Sequence, residues 1–180
     1  RWRNVDLNII LFNNQIYGLT KGQYSPTSKF GAITKTSPYG TVENPFTPGQ
    51  LVLGARGTFF ARGLDADIKT NQEIFLAAAL HKGASVCEML VNCMIFNDGA
   101  HAAISARDVR ADRTILLKDG EKMIFGANGD KGIVLENGAL KAVTIGQDGY
   151  TMDDILVHHA CTRDTFIHSM LIDMKGDLPV

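Results

Sequence analysis

The chain has 180 residues, 45% of them hydrophobic and 21% charged, with a formal net charge of −1. That is long enough for a domain with a sizeable core and ordinary for a globular protein. The near-neutral balance offers no bulk attraction for nucleic acid. No apolar run approaches the roughly 20 residues of a membrane span. The three cysteines are an odd number, Cys87, Cys93 and Cys161, without paired spacing. This argues against a secreted disulfide framework and for a reducing, cytoplasmic compartment.

Asn8–Phe12 is an apolar run that predicts a buried strand. A buried parallel strand ends in a polar loop where ligands bind, outside the carboxyl edge of the sheet. Residues 17–46 hold Gly18, Gly22, Gly31, Gly40, Pro26, Pro38 and Pro45, and predict a long loop of the functional kind. Thr47-Pro48 reads as an N-cap followed by proline in the first turn of a helix running to about Arg56. Thr58–Ala61 predicts a short buried strand. Thr70 and Glu73 have the spacing of a capping box before an apolar helix, Ile74–Leu80, expected to lie between layers. His81 and Lys82 suit the end of that helix, and Gly83 its left-handed exit. Ala84–Val91 predicts a second buried strand, interrupted by Glu88. Strand, helix and strand in this order imply a parallel sheet.

Beyond Asp98 the pattern changes. Ile104–Asp112 is compatible with a helix. The apolar pieces Arg113–Leu117, Lys122–Phe125, Gly132–Leu135 and Leu140–Ile145 are separated by Asp119-Gly120, Asn128-Gly129-Asp130 and Asn137-Gly138. These are turn signals, and 113–145 reads as a small antiparallel appendage to a single domain spanning 1–180. Ile155–His158 is a further candidate strand and Thr165–Met174 a closing helix.

The chemistry concentrates in the loop after the first strand. It offers a carboxamide (Asn14), a backbone carbonyl (Ile16), a hydroxyl (Thr20) and an ammonium (Lys21). Magnesium takes a near-octahedral shell of oxygens, partly from phosphate, and lysine and threonine meet remaining phosphate oxygens. From Asn13 to Thr27 the sequence Asn-Asn-Gln-Ile-Tyr-Gly-Leu-Thr-Lys-Gly-Gln-Tyr-Ser-Pro-Thr resembles, without a gap, the thiamine-diphosphate loop of the beta subunits of 2-oxoacid:ferredoxin oxidoreductases. Thr34–Pro38, Asn44-Pro45-Phe46, Leu80–Gly83 and Phe125-Gly126 extend the likeness along the chain.

The resemblance implies the thiamine-diphosphate-binding α/β fold, a parallel sheet with helices on both faces. It implies that the Asn14 side chain and Ile16 carbonyl bind Mg2+, and that Thr20, with backbone groups around Gly18 and Leu19, holds the diphosphate. Lys21 would face the diphosphate, a substrate carboxylate or coenzyme A, while Asn13 would tie down the loop. Asn92-Cys93-Met94-Ile95-Phe96-Asn97 resembles the family's Asn/Asp-Cys-Pro-x-Phe-Asn stretch, whose cysteine ligates a four-iron four-sulfur (4Fe–4S) cluster; Met94 replaces the usual proline. Cys87 is expected to be a core thiol, and Cys161, despite His158-His159, to bind no metal.

The implied reaction is oxidative decarboxylation of a 2-oxoacid to an acyl-coenzyme A, with electrons passed to ferredoxin. The Leu-Thr-Lys-Gly-Gln version resembles the two-subunit enzymes, many of which use 2-oxoglutarate. In the family a third metal ligand, an upstream aspartate, and the other cluster cysteines precede this region, and the activating carboxylate comes from the partner alpha subunit. The chain therefore reads as the middle of a longer subunit, with no catalytic acid or base of its own. Two alternatives stay open: a non-redox thiamine enzyme of the acetolactate synthase kind, and a non-catalytic fragment with the same fold.

Overall fold

Asn8–Asn13 (β1), Phe59–Leu64 (β2) and Ser85–Leu90 (β3) form a three-stranded parallel sheet in the order β1-β3-β2 in the computed structural model, which describes residues 4–180. Its register pairs Asn13 with Leu90 and Leu64 with Leu90, so all three strands end at one edge. Between β2 and β3 runs the helix Ile68–Leu80 (α2), which packs on both of those strands and completes the βαβ unit. The helix Pro48–Gly54 (α1) carries proline in its first turn, as the Thr47-Pro48 pair predicts.

Helix α2 starts earlier than the capping-box reading expects. Its N-cap is Asp67, whose carboxylate accepts hydrogen bonds from the Thr70 backbone N–H at 3.1 Å and the Thr70 hydroxyl at 2.8 Å. Thr70 thus supplies donors to a cap one turn before the position given to it, and Asp67 is the cap. The helix is also not buried on most sides. Ala78 packs with Cys87 and Met89, supported by Phe59, Ile74 and Val91, while Leu76 and Leu80 are exposed.

Strand β1 forms where its pattern predicts, but it is not buried. It is an edge strand, and Ile9, Ile10, Leu11 and Phe12 are all exposed, Phe12 at 70%. Continuous apolar strands are those that parallel sheets cover on both faces. Among the described residues, neither face of β1 is so covered.

The chain divides into two compact units, 1–102 and 103–180. The second holds an antiparallel sheet of Ile124–Phe125 (β4), Lys131–Glu136 (β5) and Ala139–Thr144 (β6). Asn137 and Gly138 both take positive φ, 51° and 77°, which closes the tight β5–β6 hairpin. Alternation along β5 sends Ile133 into a cluster with Met123, Phe125, Leu171 and Met174, and Val134 into another with Val143 and Ile155. The helix Phe166–Ile172 (α5) supplies Leu171 to the first cluster. The 104–112 segment contains only two short helices, Ala102–Ser105 (α3) and Arg110–Arg113 (α4). Arg113–Leu117 is not a strand; Ile115 and Arg113 exchange backbone hydrogen bonds with Val180 instead.

His158 is half-buried in this second unit, 5.9 Å ring-to-ring from His168. Burial, and then the like charge of His168 and more weakly His159, hold its imidazole below its usual 6.5, against the pull of Asp119. The unfolded chain takes up a proton as the pH falls through that usual value, and the folded chain resists. Folded stability is therefore lost as the pH drops below it and regained as it rises. The thermal midpoint is expected to fall between about pH 7 and about pH 5, with a shallower slope in His158→Gln. An unchanged slope in that variant would show that His158 is not the group responsible.

Candidate cofactor site at the carboxyl edge of the parallel sheet

Because the three strands end in register, the residues that follow them share one edge. Asn14 follows β1, Asp65 follows β2, and Val91 to Cys93 follow β3. Asp65 accepts a hydrogen bond from the Asn92 backbone at 2.9 Å, and Asn97 donates its side-chain N–H to the Asn14 carbonyl at 2.9 Å. The loops after β1 and β3 are thus tied together.

The turn after β1 is built by its own polar side chains. Asn14 Oδ1 accepts from the Ile16 N–H at 3.2 Å, closing an Asx turn that carries Gln15 at φ 55°. Asn13 ties the loop down: its Oδ1 accepts from the Thr27 hydroxyl at 2.7 Å and its Nδ2 donates to Glu88 at 2.7 Å. Ser28 donates to the Gln15 carbonyl at 2.6 Å. Residues 17–23 then make a tight excursion, closed by Tyr17 N–H to Gln23 O at 2.8 Å and Gly22 N–H to Tyr17 O at 3.0 Å. Lys21 sits at φ 68°, and Gly22 at φ 96° where a Cβ would come within 3.0 Å of the Phe96 ring. The φ of Gly22 favours glycine there, and a Cβ would crowd the Phe96 ring.

This arrangement leaves several backbone groups of the turn without partners among the described residues. Among the described residues, no hydrogen bond reaches the Ile16 carbonyl oxygen, and none uses the backbone N–H of Gly18, Leu19 or Thr20. A carbonyl, a carboxamide oxygen with a second lone pair and a run of three N–H groups form a donor set that suits a magnesium-bound diphosphate. Leu19 and Thr20 are exposed at the tip of the excursion, and Thr20 donates only a long 3.4 Å bond to Tyr17 O. Beside the excursion lies a cleft of about 400 Å³ lined by Tyr17, Tyr24, Pro26, Phe46 and Glu43.

Cys93 lies against the same excursion. Its sulfur would be 3.6 Å from a Cβ placed on Gly18, and it is partly exposed. Cys87 is buried in β3, and burial pushes its thiol above the usual range, as suits an inert core cysteine. Cys161 is exposed in the second unit. Among the described residues, no three His, Cys, Asp or Glu side chains gather into a metal site. One thiol does not make a cluster site.

Two further polar residues of this unit are buried. Glu88, noted as an interruption of an apolar strand, is fully buried at 2% exposure and paired with Arg62 at 2.9 Å. His101, without an evident partner in the sequence, hydrogen-bonds through Nε2 to the Asn13 carbonyl at 2.8 Å, and burial lowers its basicity. A charged residue within an apolar strand is a signal for a buried polar partner. No sequence signal marks His101.

Residues 2–89 match the family described as thiamine pyrophosphate enzyme, C-terminal TPP binding domain. The chain is 43% identical, over 97% of its length, to the 2-oxoglutarate oxidoreductase subunit KorB of Mycobacterium tuberculosis, of which it covers 47%. It is 44% identical over 53% of its length to the 2-oxoacid:ferredoxin oxidoreductase subunit beta of Saccharolobus solfataricus, covering 32% of that protein. A solved 2-oxoglutarate:ferredoxin oxidoreductase from Magnetococcus marinus, with 2-oxoglutarate, coenzyme A and succinyl-CoA bound, superposes with a TM-score of 0.54 at 35% identity, over 62% of this chain and 37% of that one. The chain is similar in sequence to 2-oxoacid:ferredoxin oxidoreductase beta subunits. It spans about half the length of the mycobacterial relative and about a third of the archaeal one.

Proposed function

We propose that this chain is the cofactor-binding part of the beta subunit of a 2-oxoacid:ferredoxin oxidoreductase, with 2-oxoglutarate as the acid. The observation that carries the reading is the turn after β1 at the sheet edge, which holds the Asn14 carboxamide, the Ile16 carbonyl and the N–H groups of Gly18, Leu19 and Thr20, with no hydrogen-bond partner among the described residues for the last four. Asn14 and Ile16 would hold Mg2+, and the three N–H groups with the Thr20 hydroxyl would hold the diphosphate of thiamine diphosphate. When bound, that cofactor supplies a carbon nucleophile for the keto group and an electron sink for decarboxylation. Lys21, in a left-handed conformation on the same turn, would meet the carboxylate of the acid or the phosphates of coenzyme A. Cys93 would supply one thiolate of a 4Fe–4S cluster, because it is the partly exposed thiol beside the cofactor loop.

In this reading the products are an acyl-coenzyme A, carbon dioxide and reduced ferredoxin, and the enzyme is a cytoplasmic heteromer. Among the described residues, no helix is long and apolar enough to cross a membrane. The relative from Magnetococcus marinus, solved with 2-oxoglutarate and coenzyme A, supports this choice of substrates. The alpha subunit would contribute the carboxylate that activates the cofactor, and the remaining metal and cluster ligands would come from outside residues 1–180. The test is viologen reduction by the full-length subunit with its alpha partner, given 2-oxoglutarate or pyruvate, and coenzyme A. Turnover with 2-oxoglutarate that needs both subunits and coenzyme A is expected, with none from the 180-residue chain alone. Absence of turnover in the assembled enzyme with either acid, or turnover by the chain alone, would overturn the assignment.

A further inference from the structure

A carboxylate buried in an apolar strand is costly unless charged and hydrogen-bonding partners surround it. Glu88 lies in the central strand β3, directly opposite Arg62 on β2 and Leu11 on β1. Side chains alternate along a strand, so Asn13, two residues beyond Leu11, shares the face of Glu88. The carboxylate divides its oxygens: Oε2 accepts from Arg62 Nε at 2.9 Å and Oε1 from Asn13 Nδ2 at 2.7 Å. Asn13 passes the connection onward, because its Oδ1 accepts from the Thr27 hydroxyl at 2.7 Å and from the Gln15 N–H at 3.3 Å. Its own carbonyl accepts from His101 Nε2 at 2.8 Å and from the Val91 N–H at 3.2 Å. Asn13 therefore has both amide atoms and its carbonyl engaged, and it immediately precedes Asn14.

We propose that Glu88 is a positioning residue for cofactor binding: held by Arg62, it fixes the amide orientation of Asn13 and so sets the turn that presents the Asn14 carboxamide and the Ile16 carbonyl. This rests on the cofactor site proposed above and adds a residue that does not itself touch the cofactor. The chemistry makes a sharp demand. Two N–H donors reach position 88 on its two separate oxygens, so an amide there would turn its NH2 group toward one of them. Two donors, the Thr27 hydroxyl and the Gln15 N–H, converge on the oxygen of position 13. Exchanging the two groups, with a carboxylate at position 13 and an amide at position 88, keeps every hydrogen bond. The new amide donates to the new carboxylate, and its oxygen accepts from Arg62.

The test is calorimetric titration of thiamine diphosphate, with magnesium present, into the full-length subunit assembled with its alpha partner. Glu88→Gln and Asn13→Asp are each expected to weaken binding roughly tenfold, the scale of losing an outer-shell partner of a metal ligand. The double variant is expected to recover to within about threefold of the parent. Thr27→Val, which leaves the buried ion pair intact, should lose affinity by a few-fold. Single variants that bind like the parent, or a double variant no better than the worse single, would overturn the inference. If a single variant fails to fold, Thr27→Val decides: unchanged affinity there also overturns it. Asn14→Ala separates the two levels. Normal affinity in that variant removes the cofactor site itself, whereas weakened binding there beside normal Glu88→Gln and Asn13→Asp removes only the positioning role.

Discussion

Asn14→Ala is expected to reduce the affinity for magnesium and thiamine diphosphate more than any other single change in the loop. Two ligands are disturbed at once. The carboxamide oxygen is lost from a cation that tolerates little distortion of its oxygen shell. The Asx turn is lost as well, because the Ile16 N–H has no other acceptor among the described residues, and the Ile16 carbonyl is then no longer held. Changing an outer-shell partner of a metal ligand typically costs ten- to a hundredfold in affinity, so losing a direct ligand should cost at least about tenfold. The fold should survive, since Asn14 belongs to no core cluster and the clamp on Asn13 is untouched. Calorimetric titration with thermal unfolding beside it separates the two effects; unchanged affinity would remove Asn14 from the site.

Replacing Cys93 by serine is expected to remove most of the broad visible absorption that an anaerobically reconstituted 4Fe–4S enzyme, with about four irons per subunit, should show. A serine hydroxyl is a harder and far less acidic donor than a thiol, so it is a poor substitute for a thiolate on iron. Cys87→Ser and Cys161→Ser should keep the absorption. Cys87 is enclosed in the strand core, where its thiol resists ionisation, and Cys161 lies in the other compact unit. Cys87→Ser should instead cost stability, because a hydroxyl replaces sulfur in an apolar cluster. Equal spectra for all three variants would exclude Cys93 as a ligand.

The elements of the first unit were legible because their signals are strong and local. An apolar run before Asn13-Asn14, a proline after Thr47 and an apolar helix followed by an apolar strand each specify one structure at short range. The helix start was misplaced because Asp67 and Thr70 are both good capping residues, and only the geometry shows which accepts and which donates. Burial was overestimated for β1 and α2 because apolar sequence reports the environment a segment suits, whereas Ile10, Phe12, Leu76 and Leu80 are open in this chain. In the second unit, Asn137-Gly138 fixed a hairpin, but Arg113–Leu117 pairs with the far end of the chain through Val180, a contact no local pattern encodes.

Asn14, Ile16 and Cys93 enter the proposed site through a resemblance carried by consecutive residues. Asn13, expected to tie down the loop, does so through Thr27 and Glu88. The supporting partners were less visible because Asn13, Arg62, Glu88 and His101 are far apart in sequence. They meet only once the parallel register is set.

The most direct test of the account is a titration of thiamine diphosphate into the assembled full-length subunit, with and without magnesium. Saturable binding at one site per beta subunit is expected, abolished when a chelator removes the metal. No binding to the assembled subunit, or binding of equal strength without magnesium, would contradict it.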